Sequence, residues 1–495
     1  MPDDNVIRIP GSTRTFHRAR ILAVLLLPLA MSLMAVSSVN VALHTIETGL
    51  GATPTDIQWV LSGYALAFGI TLIPAGRAGD VLGRGSLFVA GLLLFVGASL
   101  ACGLAPAPVS LNVARVVQGV GAGLYSPQII GMIQEYFAGP ARARAFALFG
   151  LVISVSVAIG PIVAGAIIAW LGPELGWRGA FLVNLPLGVL AVILALAWFP
   201  FAIERRRWAA RTERRRVGGP RPEAIDLDPV GAVLVAATVL CVMLPFMQHP
   251  HPAIWLLLLA AAGFAALWIG WERRYAARGR APMVDLRLFA FRSFSNGTLI
   301  SGTMFVGSAT VFVLVALFLQ SGLGVSALET GLVGLPNAIV SGYASMWAGR
   351  RVMTSGRRIV LLGLAAMVVG STLCIVVAAL IARAGWSHWV LAVPLMFNGF
   401  GMGVVGSANQ TLSLSDVPVA EGGTAGGVKQ TAERIGTAIG NTVITGVLFA
   451  GHDLAGWTTG FVAGFTVIVV VHLIACWLAY RDLVQHRAPA PGTDG

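Results

Sequence analysis

The sequence predicts an all-α polytopic membrane protein: two six-helix bundles related by a pseudo-two-fold repeat, two further helices inserted between them, and 14 transmembrane spans. Three observations lead there. Of the 495 residues, 57% are hydrophobic and 11% are charged, more apolar surface than a water-soluble fold can bury. A helical crossing takes about 20 apolar residues, and segments of that kind start near residues 21, 57, 86, 109, 145, 179, 229, 253, 295, 330, 359, 389, 427 and 457. Finally, the polar hinge Gly76-Arg-Ala-Gly-Asp80-Val-Leu-Gly83-Arg84 recurs in outline at Gly349-Arg350…Gly356-Arg357. Lipid leaves backbone polar groups no partner outside their own segment, so the spans are helices.

The net charge of +12 has its explanation in topology. With the N-terminus inside, Arg178 and Arg383 are the basic residues of the outside loops, while Arg115, Lys429 and Arg434 fall within spans. All the others lie inside, which is the positive-inside pattern of an inner-membrane protein with both termini cytoplasmic. The runs Arg205–Arg207 and Arg214–Arg216 are then topology determinants in contact with anionic lipid, and nucleic acid is excluded as a partner. Cys102, Cys241, Cys374 and Cys476 lie singly in apolar spans, so no metal site, disulfide framework or cofactor is expected.

In chain order, residues 1–20 form a flexible cytoplasmic tail. Residues 21–200 carry six spans, and the first is too long and lacks the cleavage site of a signal peptide. Ser37, Ser38 and Asn40 in span 1 either bond neighbouring helices or line a cavity. Gln58, Trp59 and Tyr64 open span 2, with Trp59 an interfacial anchor. Arg115 and Gln118 stand in span 4 before Gly119-x-Gly121-x-Gly123. An arginine there is either a functional charge or one tied to backbone carbonyls. Span 5 has the small-residue ladder Ala147, Ser156, Gly160, Ala164, Gly165, with Pro161 expected to kink it. Span 6 follows Trp177-Arg178 and contains Asn184 and Pro186. Residues 201–228 and 272–293 are charged cytoplasmic connectors on either side of two featureless spans, 229–271. Residues 294–480 carry six more spans, with Asn398 in span 12, and 481–495 form the second cytoplasmic tail.

The repeat relates spans 1–6 to spans 9–14. Gly399-x-Gly401-x-Gly403 repeats the span 4 glycines, and Gly436-x-x-x-Gly440 repeats Ser156-x-x-x-Gly160. Repeated halves with small-residue helices at their centre describe a secondary transporter with a midplane substrate site.

At these residues the chain resembles the fourteen-span drug:proton antiporter branch of the major facilitator superfamily, the QacA/EmrB type, in an actinobacterial version. Gly76…Asp80…Gly83-Arg84 resembles the signature between spans 2 and 3. Leu111…Arg115…Gln118-Gly119 resembles that of span 4, and Gly160-Pro161…Gly165 the antiporter signature of span 5. The resemblance covers about residues 20–480. It implies that Arg115 takes part in proton transfer, and that the hinge latches onto the cytoplasmic end of span 13, where Lys429, Glu433 and Arg434 cluster. Ala35 stands where the family's span 1 carries a carboxylate, His44 where it has proline, and Met353 where the second hinge would repeat Asp80.

Glu433 is the acidic residue within a span. It lies on an i, i+4 stripe with Lys429, Thr437 and Asn441, which suits either a replacement proton carrier or a structural ion network, the latter favoured by the adjacent cations. The function expected is proton-coupled export of amphiphilic, drug-like small molecules by a monomer. The cavity would be lined by Ser37, Asn40, Gln58, Tyr64, Gln118, Asn184 and Asn398. An uncoupled exporter of an endogenous metabolite and a non-transporting membrane sensor are the alternatives. No enzyme motif is present.

Overall fold

The computed structural model describes residues 6–8, 15–201, 226–247 and 252–485. The connector's basic runs and the end of the C-terminal tail (486–495) lie outside them. Fourteen helices appear among the described residues. They are α1 (Arg18–Leu50), α2 (Pro54–Leu82), α3 (Arg84–Gly103), α4 (Pro108–Tyr136), α5 (Gly139–Gly172), α6 (Glu174–Trp198), α7 (Pro229–Met247), α8 (Leu257–Ala277), α9 (Arg292–Leu317), α10 (Ala327–Ser355), α11 (Arg357–Ala384), α12 (Ala392–Ser413), α13 (Gly422–Ala455) and α14 (Trp457–Gln485). By length and hydropathy 12 of them can cross a membrane. Neither α4 nor α10 meets that standard, because α4 carries Arg115, Gln118, Gln128, Gln134 and Glu135, and α10 carries Glu329, Asn337, Arg350 and Arg351. On α4 Arg115, Gln118, Gln128 and Gln134 are enclosed by protein, so it needs less apolar surface.

One expectation is corrected here. The N-terminal tail is not wholly flexible, since Val6–Arg8 pairs antiparallel with Thr15–His17, which leads straight into α1. Pro161 lies within a continuous helix. Backbone angles stay helical through it, and the break falls at Gly172 (φ 79°, ψ 171°), where α5 gives way to α6.

The chain forms two compact units that do not follow chain order. One comprises Met1–Ala138, Ser156–Leu288 and Pro418–Thr431; the other comprises Gly139–Val155, Phe289–Val417 and Ala432–Gly495. In the first unit α2 and α3 pack on α4, and α1 and α3 pack on α6. In the second the same pairings recur eight helices later: α10 and α11 on α12, α9 and α11 on α14.

The repeat holds down to individual atoms. A Cβ on Gly119 would stand 2.4 Å from the Tyr64 carbonyl, and one on Gly399 would stand 2.3 Å from the Asn337 carbonyl. On Gly121 it would meet the Gly91 carbonyl at 3.0 Å, and on Gly401 the Gly363 carbonyl at 2.4 Å. Glycine is required there because backbones meet directly.

The inserted helices α7 and α8 pack on each other, and α7 packs on α2. Gln58 donates from Nε2 to the Met247 carbonyl (2.7 Å). At the other end, buried Asp228 accepts the indole N–H of Trp271 (2.8 Å) and the backbone N–H of Gly231 (2.9 Å). Buried Glu272 accepts the indole N–H of Trp268 (2.7 Å). These two carboxylates stand at the ends of the charged connectors 201–228 and 272–293, and both accept the backbone N–H of Met283 (3.2 and 3.0 Å), which fastens the insert to its connector.

Candidate functional site

The hinge of the first unit is built on one missing side chain and one carboxylate. Gly83, between α2 and α3, has φ 119°, and Gly356, between α10 and α11, has φ 52°; L side chains rarely adopt either. One turn before the end of α2, Asp80 Oδ1 accepts Nε–H (2.9 Å) and Nη2–H (2.7 Å) of Arg84 and the backbone N–H of Gly423 (3.0 Å). Its Oδ2 accepts the backbone N–H (2.8 Å) and hydroxyl (2.9 Å) of Thr424. Gly423 and Thr424 open α13, so the carboxylate meets N–H groups with no partner inside that helix and the positive end of its dipole.

Asp80 could equally have capped the helix that follows it, but α3 begins without a side-chain cap. The first turn of α13 has taken both carboxylate oxygens. Arg84, 7% exposed, donates from Nη1 to the Gly131 carbonyl (2.8 Å) and to Glu135 (2.9 Å), and from Nη2 to the Val419 carbonyl. A Cβ on Gly76 would stand 2.4 Å from the Gly423 carbonyl.

The structure brings Gly76, Asp80, Gly83 and Arg84 together, and adds Glu135, Val419, Gly423 and Thr424. Among the described residues Asp80 and Arg84 make no bond to Lys429, Glu433 or Arg434; their partners come one to three turns earlier along the chain. Lys429 is buried in the first unit beside Gln430, which accepts a hydrogen bond from Ser126 (2.6 Å). Glu433 and Arg434 are half-buried in the second unit. On the predicted stripe, the Thr437 hydroxyl donates to the backbone carbonyl of Glu433 (2.9 Å), and Asn441 accepts from Thr310 (3.1 Å). Glu135 had one sequence signal, a carboxylate at the end of span 4.

Arg115 lies sealed in the first unit, 1% exposed. Its Nε donates to the Val60 carbonyl (2.9 Å) and its Nη1 to Gln118 Oε1 (2.7 Å). The guanidinium stands 4.4 Å above the ring of Tyr64, a cation–π contact strengthened by desolvation. Gln118 passes the chain on, donating to Ser99 Oγ (2.7 Å). No carboxylate pairs with Arg115 among the described residues. Of the two sequence readings, the tie to a backbone carbonyl is the one observed, and the guanidinium also lies against an aromatic face.

Span 5 meets span 1 where its signature lies. A Cβ on Gly160 would be 1.9 Å from Ser37 Oγ, and Ser38 donates to the Gly160 carbonyl (3.0 Å). Gly440 has the matching role in the second unit, where a Cβ would be 1.8 Å from the Val306 carbonyl of α9. Gly165 has open space beside it and Pro161 is half-buried. The cavity candidates scatter. Asn40 is exposed; Ser37, Tyr64, Gln118 and Asn184 are buried; Gln58 is held on α7. Asn398, in the second unit, accepts from Ser371 (3.1 Å), whose hydroxyl also faces His472 Nδ1 (3.2 Å). His472 escaped notice in the sequence, although a histidine within an apolar span is the signal it carries.

The Major Facilitator Superfamily profile matches residues 25–441 and, overlapping, 297–494. A probable actinorhodin transporter of Streptomyces coelicolor is 31% identical over 85% of this chain and 70% of its own. The cephamycin export protein CmcT of Amycolatopsis lactamdurans is 30% identical over 84% of this chain and 82% of its own. Among solved structures, the proton:xylose symporter XylE superposes with a TM-score of 0.64 over 94% of this chain and 95% of that one, at 14% identity. Helix count, internal repeat, hinge and relatives agree: the chain belongs to the Major Facilitator Superfamily, as a multi-pass membrane transport protein and not an enzyme.

Proposed function

We propose that this protein exports amphiphilic, antibiotic-like small molecules in exchange for protons, by alternating access, as a member of the fourteen-span antiporter branch. The observation that carries the reading is the cap that Asp80 places on α13. It is a charged, reversible fastening between the first hinge and the start of a helix that continues into the second unit. Breaking it releases the first turns of that helix, as a transporter that alternates requires. The direction and class of cargo rest on relatives named for actinorhodin transport and cephamycin export. These differ in chemistry, so they support a class of cargo without singling out one compound.

Arg115 is the buried charge whose field a moving proton would sense. We further propose that the domain limits are those of the sequence repeat, 21–200 and 294–480 with the insert 229–271, that the termini are cytoplasmic and that the monomer is the working unit. Proteoliposomes holding the purified full chain, loaded with ethidium and given an imposed pH gradient, test the reading. Ethidium should move against its own gradient only while the proton gradient lasts. Movement that ignores the gradient would leave an uncoupled exporter as the surviving description.

A further inference from the structure

We propose that His472 is a proton-binding site in the membrane interior of the second unit, built to accept the imidazolium form. The ring is fully buried and sits among α14, α9 and α11. Both nitrogens face serine hydroxyls: Nε2 is 3.4 Å from Ser308 Oγ and Nδ1 is 3.2 Å from Ser371 Oγ. Each hydroxyl already has an acceptor for its single hydrogen. Ser308 donates to the Met304 carbonyl (2.8 Å), and Ser371 donates to Asn398 Oδ1 (3.1 Å). With those bonds kept, both serines turn lone pairs toward the ring.

A neutral imidazole has one N–H and can satisfy one of those lone pairs. An imidazolium has two and satisfies both. Taking up a proton forms the second ring N–H and its bond to the facing serine, and breaks none of the bonds already present. Losing it leaves one lone pair facing another until a serine swings its hydrogen from its present acceptor onto the ring. Space for the ring comes from α9: a Cβ on Gly307 would stand 2.8 Å from Nε2, so glycine there lets the backbone close over the imidazole.

No counter-ion shares the site among the described residues. On α9 the charged residue is Arg292; on α11 they are Arg357, Arg358 and Arg383; α12 has none. On α14 the ionisable neighbours are Cys476, Tyr480, Arg481 and Asp482, the last paired with Arg357. On α13, whose Gly440 lies against Val306 of α9, they are Lys429, Glu433, Arg434, His452 and Asp453. At about 1.5 Å per residue, the charged groups of α9, α11 and α14 stand roughly 13 Å or more along their helices from His472 or the serine that faces it, and those of α13 roughly 9 Å or more from Gly440. The thiols of Cys374 and Cys476 are the nearest titratable groups. The charge is thus set off by hydroxyl dipoles alone, and its cost in a membrane interior makes the bound proton exchangeable. The link from this proton to export rests on the coupled reading above; the protonation itself does not.

The test uses the full chain in lipid nanodiscs with 15N-labelled histidine, the His472 resonances being assigned by their loss in His472→Gln. Between about pH 8 and about pH 5, the window in which histidines charge, the second ring nitrogen should shift from the unprotonated to the protonated position. In Ser308→Ala with Ser371→Ala that shift should move to lower pH, because the acceptors are gone. A ring that stays singly protonated across the window overturns the proposal, as does a shift that both serine substitutions leave unmoved. Ethidium exchange in proteoliposomes then separates the two readings. A titrating His472 with no proton-coupled transport leaves the site standing and removes the coupled export. Coupled transport with a silent His472 does the opposite.

Discussion

The two hinges have the same skeleton and differ at one decisive position. Each has a first glycine whose missing side chain admits another helix. In the first unit Gly76 lies against the Gly423 carbonyl, and in the second a Cβ on Gly349 would stand 2.3 Å from the Cβ of Ala147. Each has a second glycine at positive φ followed by an arginine paired with a carboxylate, Arg84 with Asp80 and Glu135, Arg357 with Asp482. The docked helix is held differently. Asp80 gives α13 a charged cap, while at the equivalent place Met353 is 53% exposed. One dock is capped by a carboxylate; the other combines close fit with a neutral hydrogen bond from Ser345 to the Ala147 carbonyl (2.9 Å). Shape tolerates sliding, whereas a carboxylate on a helix N-terminus has a defined on and off.

Asp80→Ala should have the largest effect. It strips the cap from α13 and leaves Arg84 with one carboxylate in a buried setting, where losing a charge partner costs about 3–5 kcal/mol. Ethidium exchange in proteoliposomes should fall at least tenfold. Asp80→Asn, which keeps an acceptor for α13, should fall less; equal losses would show that the cap is not what matters.

Arg115→Lys comes next, because an ammonium cannot reproduce the fork that reaches the Val60 carbonyl and Gln118 while lying over Tyr64. The expected outcome is roughly a tenfold loss of exchange with normal insertion, measured beside Leu395→Ala. Leu395 occupies the repeat-equivalent position in the second unit and should affect stability rather than coupling.

The glycines separate the docks by geometry. Gly76→Ala collides with backbone and should cripple exchange. Gly349→Ala collides with the Ala147 side chain, so Gly349→Ala combined with Ala147→Gly should restore most of the activity. No rescue in the pair would mean that the second dock is not closed by shape. A double-mutant cycle between Asp80 and Thr424 should show a coupling of about 0.5–3 kcal/mol, as for residues in contact, whereas Asp80 and Lys429 should add independently. Met353→Asp should have the smallest effect, within about twofold of the parent, since its side chain points into open surroundings. A large loss there would mean that the second hinge also works electrostatically.

Much of this is legible in the residues themselves. Composition and segment length imply helices in a membrane because lipid offers no partner for an unpaired backbone group. The spacing of Gly119, Gly121 and Gly123 against Gly399, Gly401 and Gly403 revealed the repeat, because a glycine needed for backbone contact is needed again wherever that contact is copied. The same logic singled out Asp80 and Arg84 as a unit and Arg115 as an oddity.

What stayed hidden depends on distance in three dimensions. The first N–H that Asp80 caps lies 343 residues later, and the cap falls on backbone N–H groups, which every sequence has and no residue type announces. Lys429, Glu433 and Arg434 drew attention because they are charged, yet the hinge bonds to Val419, Gly423 and Thr424 at the start of that helix. The network of Ser308, Ser371, Asn398 and His472 is assembled from four helices of the second unit, each contributing one unremarkable side chain. Sequence by itself determined which segments are helices, which of them repeat and where a charge sits in apolar surroundings, because those follow from local composition and spacing. Tertiary structure alone decided which polar groups meet, because a hydrogen bond needs two partners within about 3 Å, and the chain between them can be of any length.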